Sequence, residues 1–290
     1  MTLAPPWIVG SDASGVVDAV GSEVTNVAVG DLVVVNPGIS DRTCVYCQIG
    51  EHSLCLRYKI LGEHRSGTAA EYITVPAANV RNIPKETDPR LAAAFTLATL
   101  TAWRMVHTKA QIRARERVLI WGIGGGVAIQ ALQICKRIGA EVWVTSSSNE
   151  KLERARELGA DHMLNSRDVV AGMIRQATEK TGVDVVIDNV GHLTWPASLK
   201  SLGRRGRLVT CGATSGPMVD IDVRRLFWNQ WTILGSTMGN DAEFDAVVEE
   251  LRAGRLHPPV DSVWPLEQGR NAYARLEEAK QFGKIVISID

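Results

Sequence analysis

Two stretches of the sequence hold residues whose types and spacing could support chemistry. The first runs from Val118 to Ala128 and reads as an apolar run, a glycine cluster and the start of a helical pattern. Glycines let the backbone approach a diphosphate, and free amides at a helix N-terminus meet its negative charge. Although the strict G-x-G-x-x-G spacing is not met and a plain tight turn would read similarly, the order predicts a dinucleotide site built on Gly122, Gly124, Gly125 and Gly126.

The second stretch is a loop of cysteines with the spacing D-x2-C-x2-C-x7-C, formed by Asp41, Cys44, Cys47 and Cys55. Three thiolates and one carboxylate can close a tetrahedral shell around Zn²⁺. Because a closed shell leaves no position for water or substrate, the pattern predicts a structural zinc. The alternative is a loop of free thiols, and the carboxylate is the least usual of the four ligands.

The stretch from Thr145 to Lys151 bears on which nucleotide would bind. An NAD site usually carries an acid here, about 20 residues after the glycines, to hold the ribose 2′-hydroxyl. No acid stands at this strand end, whereas the hydroxyls of Ser146 and Ser147 and the amine of Lys151 could receive a 2′-phosphate. The sequence therefore predicts NADP(H), with NAD(H) as the alternative. The competing interpretation is a solvated turn in which Ser148 or Asn149 only caps the next helix.

The surrounding elements change in character along the chain. Up to about residue 84, short alternating runs at 15–20 and 31–35 are separated by turn residues, which is typical of a β domain. From about residue 89, apolar strands alternate with helical stretches, as in βαβ units of a parallel sheet. The predicted strands are 117–121, 141–145, 183–188, 207–211 and 232–235, with a last strand at 284–289, and the predicted helices are 128–138, 149–158, 169–180, 195–202 and 242–253.

Composition excludes some classes of partner. The 290 residues include 32 Lys+Arg and 32 Asp+Glu, a formal net charge of +0, which disfavours nucleic-acid binding because phosphate contacts need a basic surplus. No apolar run is long enough to span a bilayer, and the N-terminus lacks the pattern of a secretory signal. We therefore expect a cytoplasmic protein with a small-molecule substrate and no nucleic-acid or membrane partner.

Taken together, these motifs resemble the medium-chain dehydrogenase/reductase superfamily, which contains zinc alcohol dehydrogenases and quinone oxidoreductases. The resemblance covers nearly the whole chain and implies an α/β fold, with a doubly wound parallel Rossmann sheet and a GroES-like β domain. The implied division is 1–88 together with 259–290 for the GroES-like domain, and 89–258 for the Rossmann domain. Relatives carry a further segment ahead of the one that opens this chain, so we expect the GroES-like domain to be incomplete at its N-terminus. The stretches that carry the resemblance are GSDASGVV from Gly10, VGDLV from Val29, the cysteine loop, AEYITVP from Ala70, LTAW from Leu100, the glycine turn, LGADH from Leu158, GHLTWPASL from Gly191 and FGKIV from Phe282.

The resemblance also assigns roles to single residues. Zinc alcohol dehydrogenases have His and Glu where this chain has Ser11 and Asp12, and a cysteine where it has Leu97, so a catalytic zinc is not expected. The resemblance places Ile60 and Leu61 in the substrate pocket. The residues implied to lie along or near the nicotinamide are Thr101, Val127, Ser236, Thr237 and Met238.

These observations predict an NADP(H)-dependent oxidoreductase that transfers hydride to or from a small carbonyl, enone or quinone without catalytic zinc. No catalytic group is identified, although Glu63 and His64, in a polar turn, are candidates for a proton relay. The alternatives are a zinc-dependent alcohol dehydrogenase and a non-catalytic relative that binds the cofactor. The resemblance implies a homodimer or homotetramer.

Overall fold

The computed structural model of the protein describes residues 6–289. Within them the strands, numbered in chain order, are β1 (Ser14–Val16), β2 (Leu32–Val35), β3 (Gly38–Ile39), β4 (Lys59–Ile60), β5 (Val80–Asn82), β6 (Arg117–Ile120), β7 (Glu141–Ser146), β8 (His162–Asn165), β9 (Val183–Asp188), β10 (Leu202–Thr210), β11 (Thr232–Gly235), β12 (Val260–Pro265) and β13 (Lys284–Ser288). The α-helices are α1 (Val45–Gln48), α2 (Pro89–Ala93), α3 (Thr96–Trp103), α4 (Gly126–Ile138), α5 (Asn149–Glu157), α6 (Val170–Ala177), α7 (Trp195–Ser201), α8 (Val223–Asn229), α9 (Asp241–Arg252) and α10 (Gly269–Glu277). A π-helix at Arg104–Lys109 follows α3. No helix in this part of the chain is long and apolar enough to cross a membrane.

The chain divides into two compact units, one of residues 1–100 and 238–290 and one of residues 101–237. The sequence-based boundaries at 88/89 and 258/259 differ from this division. Helices α2 and α9 account for the difference, because both pack in the first unit. Helix α2 contacts β1, β12 and β13, and α9 is tied to β5 by an ion pair between Arg81 and Asp245.

The second unit is a doubly wound sheet. Its six strands lie in the order β11-β10-β9-β6-β7-β8, and every pair of neighbours is parallel. After β6, the chain adds β7 and then β8 next to it in one direction. It then crosses back and adds β9, β10 and β11 on the opposite side of β6. The strand order therefore reverses between β6 and β9. In such sheets, ligands bind outside the carboxyl ends of the strands at this point.

Apolar runs explain why these segments became central strands. Val118, Leu119 and Ile120 in β6 are fully buried, as are Val185 and Val186 in β9, because helices cover both faces of a parallel sheet. Burying each such side chain contributes roughly 1.5–3 kcal/mol. The core between the sheet and its helices includes four indoles, those of Trp121, Trp143, Trp195 and Trp231.

Most predicted elements of this unit are confirmed, and the deviations have local causes. Helix α6 ends at Ala177 and not at residue 180, because Glu179 and Lys180 both adopt positive φ angles, which ends the helix. Strand β8 was missed because it is an edge strand in which only Leu164 is buried, so its sequence has no apolar run. Helix α4 ends where predicted, at Gly139, whose φ of 85° suits glycine at this position.

The first unit is built from small sheets. Strands β1, β2 and β5 form an antiparallel sheet, β3 pairs with β4, and β13 pairs in parallel with β12. The predicted strand at 284–289 is thus confirmed as β13. The partner strand β12 was missed. Its half-buried Asp261 accepts hydrogen bonds from both Nε and Nη2 of Arg275, which holds α10 against the strand.

Candidate functional site

The glycine turn leads directly from the sheet into α4. Gly122 follows β6 with a φ of 70°, a conformation that glycine adopts without strain. Its N–H group donates to Oγ1 of Thr145 at 3.2 Å, and the N–H group of Ile123 donates to the carbonyl oxygen of Thr145 at 2.9 Å. The turn is therefore fixed to the carboxyl end of β7, the neighbouring strand.

The N-terminus of α4 is open to a ligand. The first four amides of a helix have no partner within it, and no side chain caps this one at Gly125. A Cβ atom built on Gly125 would find only the carbonyl oxygen of Gly122, at 3.6 Å. The amides of Gly126, Val127 and Ala128 can thus be approached by an anion, and thirteen residues of helix add the field of the helix dipole. These residues fit the diphosphate of a dinucleotide.

At the end of β7 the serines have separate roles. Ser148 is the N-cap of α5, because its Oγ accepts from the N–H group of Lys151. The Oγ of Ser146 is buried and accepts from the N–H group of Ser148 at 3.1 Å, whereas Ser147 is exposed. The capping interpretation is therefore confirmed for Ser148. Ser146, Ser147 and Lys151 surround one strand end and could hold the ribose of the adenosine.

The missed strand β8 adds a residue to this region. Asn165 lies opposite Ser146 in the register of the two strands, and the N–H group of Ser166 donates to the carbonyl oxygen of Ser146 at 2.9 Å. Arg167 follows Ser166 in the same turn, and its N–H group donates to Oδ1 of Asn165 at 3.0 Å. The sequence shows this basic residue a few positions after the predicted helix at 149–158. Because strand β8 was not predicted, the sequence could not show that the turn containing Arg167 follows a strand paired with β7.

Two further groups at the carboxyl edge of the sheet were missed by the sequence analysis. The carboxylate of Asp188, at the end of β9, is fully buried and accepts from the N–H groups of Val190 and Gly191 and from the hydroxyls of Thr194 and Ser198. This arrangement fixes the turn beside the glycine turn. Asn189, within it, has a buried Oδ1 that lacks a hydrogen-bond partner among the described residues.

Ser236 follows the end of β11 at the same edge of the sheet. Its side chain is buried, and its Oγ has no partner in the part of the chain that the structure describes. Leaving a buried hydroxyl unsatisfied costs about 1–3 kcal/mol, so a ligand that bonds to it would recover this energy. The group fits the predicted contact to a nicotinamide carboxamide.

The other residues implied to contact the nicotinamide occupy different environments. Thr101 is buried in α3, and Val127 is half-buried in the first turn of α4. Thr237 is exposed, and Met238 is buried with a φ of 47°, which is unusual for a residue with a side chain. Their contacts to the nicotinamide stay predictions.

The four predicted metal ligands lie together in the first unit. One ligand atom from each of Asp41, Cys44, Cys47 and Cys55 lies within 4.8 Å of the others. The sulfur atoms of Cys44 and Cys47 are 3.6 Å apart, and Oδ1 of Asp41 lies 3.4 Å from the sulfur of Cys47. Zn–S bonds of 2.3 Å in a tetrahedron give edges of about 3.8 Å between sulfurs and about 3.5 Å from sulfur to oxygen. The donor set therefore fits zinc.

Backbone donors around the cluster support its negative charge. The N–H groups of Asp41 and Arg57 donate to the sulfur of Cys55, and Oδ2 of Asp41 lies 3.6 Å from the Arg57 guanidinium. Hydrogen bonds from the N–H groups of Cys44 and Thr43 hold the pKa of the Asp41 carboxyl well below its usual range. Desolvation, together with the neighbouring sulfur atoms of Cys44 and Cys55 and the Asp41 carboxylate, raises the pKa of the Cys47 thiol to about 12. A divalent cation would reverse this preference, because a coordinating thiol is deprotonated.

Asp12 stands where zinc alcohol dehydrogenases carry a glutamate, and its carboxylate is fully engaged. Oδ1 accepts from the hydroxyl of Thr96 at 2.7 Å and from the N–H group of Leu97 at 2.6 Å, while Oδ2 lies 2.7 Å from Nζ of Lys284. These contacts tie β13 and α3 to the strand that begins at Ser14. The hydroxyl of Ser11 and the methyl groups of Leu97 do not form a donor set for a second zinc.

Glu63 and His64 lie in an exposed turn after β4. The ring of His64 folds back on this turn, where Nδ1 accepts from the N–H group of Ile60 at 3.2 Å. Ile60 is half-buried, whereas Leu61 is buried and packs with Val35 and Ile39. The structure thus gives His64 a local role in the turn, and the proton-relay hypothesis stays a prediction.

A cavity of about 770 Å³ lies within the first unit. Strands β1 and β13 line it with mostly apolar side chains. The ion pair between Asp12 and Lys284 is part of its wall and already satisfies both charges. None of the residues predicted to bind the cofactor lines this cavity.

Comparison with known proteins supports the fold described for each of the two units. Residues 1–85 match the model of the alcohol dehydrogenase GroES-like domain, and residues 126–253 match that of zinc-binding dehydrogenases. An NAD-dependent alcohol dehydrogenase of Saccharolobus solfataricus is 32% identical over 97% of this chain and 82% of its own length. The chain belongs to the medium-chain dehydrogenase/reductase superfamily.

Other members of the superfamily are similar over nearly the whole chain. A solved NAD-dependent alcohol dehydrogenase is 41% identical with a TM-score of 0.94, covering 99% of this chain and 84% of that one. An acryloyl-coenzyme A reductase of Sulfurisphaera tokodaii is 28% identical over 97% of this chain and 83% of its own length. This medium-chain dehydrogenase/reductase is therefore an oxidoreductase, and the predicted Rossmann and GroES-like folds are confirmed.

Proposed function

We propose that this medium-chain dehydrogenase/reductase uses NADP(H) to transfer hydride to or from a small carbonyl, enone or quinone, without a catalytic zinc. The observation that carries the proposal is the uncapped N-terminus of α4 beside the strand-order reversal of the sheet. When bound, the nicotinamide supplies the hydride chemistry. The protein binds the diphosphate through the amides of α4 and orients the carboxamide through Ser236.

The donor set at the family's catalytic metal position supports a zinc-free reaction. Both oxygens of Asp12 are engaged by protein donors, and Ser11 and Leu97 replace the remaining ligands. The substrate carbonyl would then be polarised by hydrogen bonds and positioned against the nicotinamide, which suits an activated acceptor. Asp41, Cys44, Cys47 and Cys55 would hold one zinc whose function is structural.

Metal analysis and turnover test this proposal together. We expect about one zinc per chain, because residues 6–289 contain one closed donor set, and steady oxidation of NADPH with a quinone or enone. Two zinc ions per chain, with alcohol oxidation, would favour a zinc-dependent alcohol dehydrogenase. Stoichiometric nucleotide binding without turnover of any acceptor would favour the non-catalytic alternative.

The preference for NADP(H) is proposed from the end of β7, where the strand tip carries no acid, Ser147 and Lys151 follow it, and Arg167 lies in the turn after the neighbouring strand β8. Four of the similar proteins are named NAD-dependent, so the two nucleotides must be compared directly. We expect Ser147→Asp to weaken NADPH binding by about tenfold or more while NADH binding holds or improves, because a carboxylate repels the 2′-phosphate and accepts from a 2′-hydroxyl.

Calorimetric dissociation constants for both nucleotides check this prediction. Ser147 is exposed, so the substitution should leave the free energy of unfolding within about 0.5 kcal/mol, and Ser147→Asn is the uncharged control. Tighter binding of NADH than of NADPH by the unaltered protein would contradict the proposed preference.

We also propose that the protein forms a homodimer through the edge of its Rossmann sheet. Strand β11 is an edge strand of this sheet, and α8, just before it, exposes Phe227 (62%) and Trp228 (72%). An open edge beside exposed aromatic groups can pair with a second copy about a two-fold axis. Sedimentation equilibrium should give twice the mass of one chain, and Trp228→Glu should give one chain's mass. A monomeric unaltered protein would contradict the proposal.

A further inference from the structure

The side-chain amide of Asn165, the last residue of β8, forms a hydrogen bond at each of its two ends. Its Nδ2 group donates to Oδ1 of Asn149 at 3.0 Å, and its Oδ1 atom accepts from the N–H group of Arg167, also at 3.0 Å. Asn149 is the first residue of α5, whereas Arg167 lies in the turn that follows β8. One amide therefore joins the start of this helix to that turn, and all of these residues belong to the second unit.

The same turn is also held against the end of β7. The N–H group of Ser166 donates to the carbonyl oxygen of Ser146 at 2.9 Å, which continues the pairing of Asn165 with Ser146 by one residue. The backbones of neighbouring strands lie about 4.8 Å apart. Because an arginine side chain is longer than this spacing, the guanidinium of Arg167 can reach the end of β7, where the ribose of the adenosine is proposed to bind.

Total charge does not select a phosphate at this strand end. Lys151, in the first turn of α5, directly follows Glu150. Arg167 directly precedes Asp168, so each of the two basic groups has an acidic neighbour in the sequence. A guanidinium binds phosphate through parallel N–H groups in a fixed geometry. Recognition of a 2′-phosphate here therefore depends on where Arg167 is held.

We propose that Asn165 is a positioning residue that favours NADPH over NADH, because it holds Arg167 where the guanidinium binds the 2′-phosphate. The inference rests on the proposed nucleotide site and names the contact that distinguishes the two nucleotides. Asn165 itself does not touch the cofactor. Its Oδ1 atom fixes the backbone of Arg167, and its Nδ2 group fixes the turn against α5, so without this amide the guanidinium would sample many positions.

The chain offers a matched control at the opposite edge of the same sheet. Oδ1 of Asp222, the N-cap of α8, accepts from the N–H group of Arg224 at 3.0 Å, so this side chain also holds an arginine two residues further on. Helix α8 precedes β11, and β11 and β8 are the two edge strands of the six-stranded sheet. Asn165→Ala and Asp222→Ala therefore remove the same type of bond, and only the first concerns the end of β7.

Calorimetric dissociation constants for NADPH and NADH test the proposal. We expect Arg167→Gln to weaken NADPH binding by about tenfold or more, because it removes charge-assisted hydrogen bonds to the phosphate, and to leave NADH binding unchanged. Asn165→Ala should weaken NADPH binding by about three- to tenfold and also leave NADH binding unchanged, because the guanidinium keeps its charge and loses its fixed position. Asp222→Ala should change neither affinity.

A double variant shows whether Asn165 acts through Arg167. If it does, Asn165→Ala added to Arg167→Gln weakens NADPH binding no further, whereas two independent effects would multiply. Arg167 is exposed, so Arg167→Gln should unfold at the same temperature as the unaltered protein even if Asn165→Ala is less stable.

Equal weakening of NADPH and NADH binding by Asn165→Ala would overturn the proposal, because the residue would then only stabilise the fold. Unchanged NADPH binding by Arg167→Gln, or multiplied effects in the double variant, would overturn it as well. A different result, failure of the unaltered protein to bind either nucleotide, would contradict the proposed function itself.

Discussion

Gly125→Asp is expected to abolish dinucleotide binding while leaving the protein as stable as before or more stable. Gly125 has φ −86° and ψ 147°, which aspartate adopts readily, and an added Cβ atom meets no close neighbour. Aspartate is among the best N-cap residues because its carboxylate accepts from the first helical amides and favours the positive end of the dipole. These are the amides that the diphosphate would use.

The two effects of this substitution have opposite signs, which makes the experiment informative. We expect the free energy of unfolding to hold or to rise by up to about 1 kcal/mol, and the affinity for NADPH to fall by at least about 100-fold, or about 2.7 kcal/mol. Calorimetry measures the affinity and denaturant titration the stability. Gly125→Ala adds a methyl group without charge and should weaken binding much less. A Gly125→Asp variant that binds NADPH normally would show that the diphosphate lies elsewhere.

The second large effect concerns the cysteine loop. Cys47 is buried, and its sulfur atom contacts both the sulfur of Cys44 and the carboxylate of Asp41. We therefore expect Cys47→Ser to abolish metal binding and not merely to weaken it. The loop has little apolar core of its own, because Val45, Ile49, Leu54 and Leu56 are exposed. Metal binding would therefore supply much of the energy that folds it.

We expect Cys47→Ser to lose its zinc and to unfold at a temperature lower by roughly 10 °C, which corresponds to a few kcal/mol for a chain of this size. Atomic absorption and thermal denaturation measure the two changes. Cys135→Ser is the control, because Cys135 is a buried thiol in α4 of the second unit, and the substitution should leave the zinc in place. Full zinc content in the Cys47→Ser variant would contradict the proposed ligand set.

The sequence predicted those parts of the molecule that depend on local patterns. The spacing of the glycines predicted the turn, and the spacing of the thiols and the carboxylate predicted the four-residue cluster. In both cases the residues belong to one short stretch of chain, so they also lie close together in the structure. Continuous apolar runs predicted β6 and β9, since both faces of these strands are buried. Edge strand β8 shows the limit, because a strand with one buried residue has no distinctive pattern.

Contacts between distant residues were beyond sequence reasoning. The pairing of Asp12 with Lys284 joins residues 272 positions apart, and the contact of Arg42 with Asp241 joins residues 199 apart. The same holds for Asn189, whose significance arises from a buried, unsatisfied oxygen atom at the edge of the folded sheet. An isolated asparagine carries no such signal in the sequence, whereas Ser236 was named in advance only because the resemblance implied it.

We propose that the amides at the start of α4 bind the diphosphate of a nicotinamide dinucleotide. Calorimetric titration of the purified protein with NADPH, and separately with NADH, measures this binding. We expect saturable binding of one nucleotide per chain, with NADPH the tighter of the two. Absence of saturable binding for both nucleotides would contradict it.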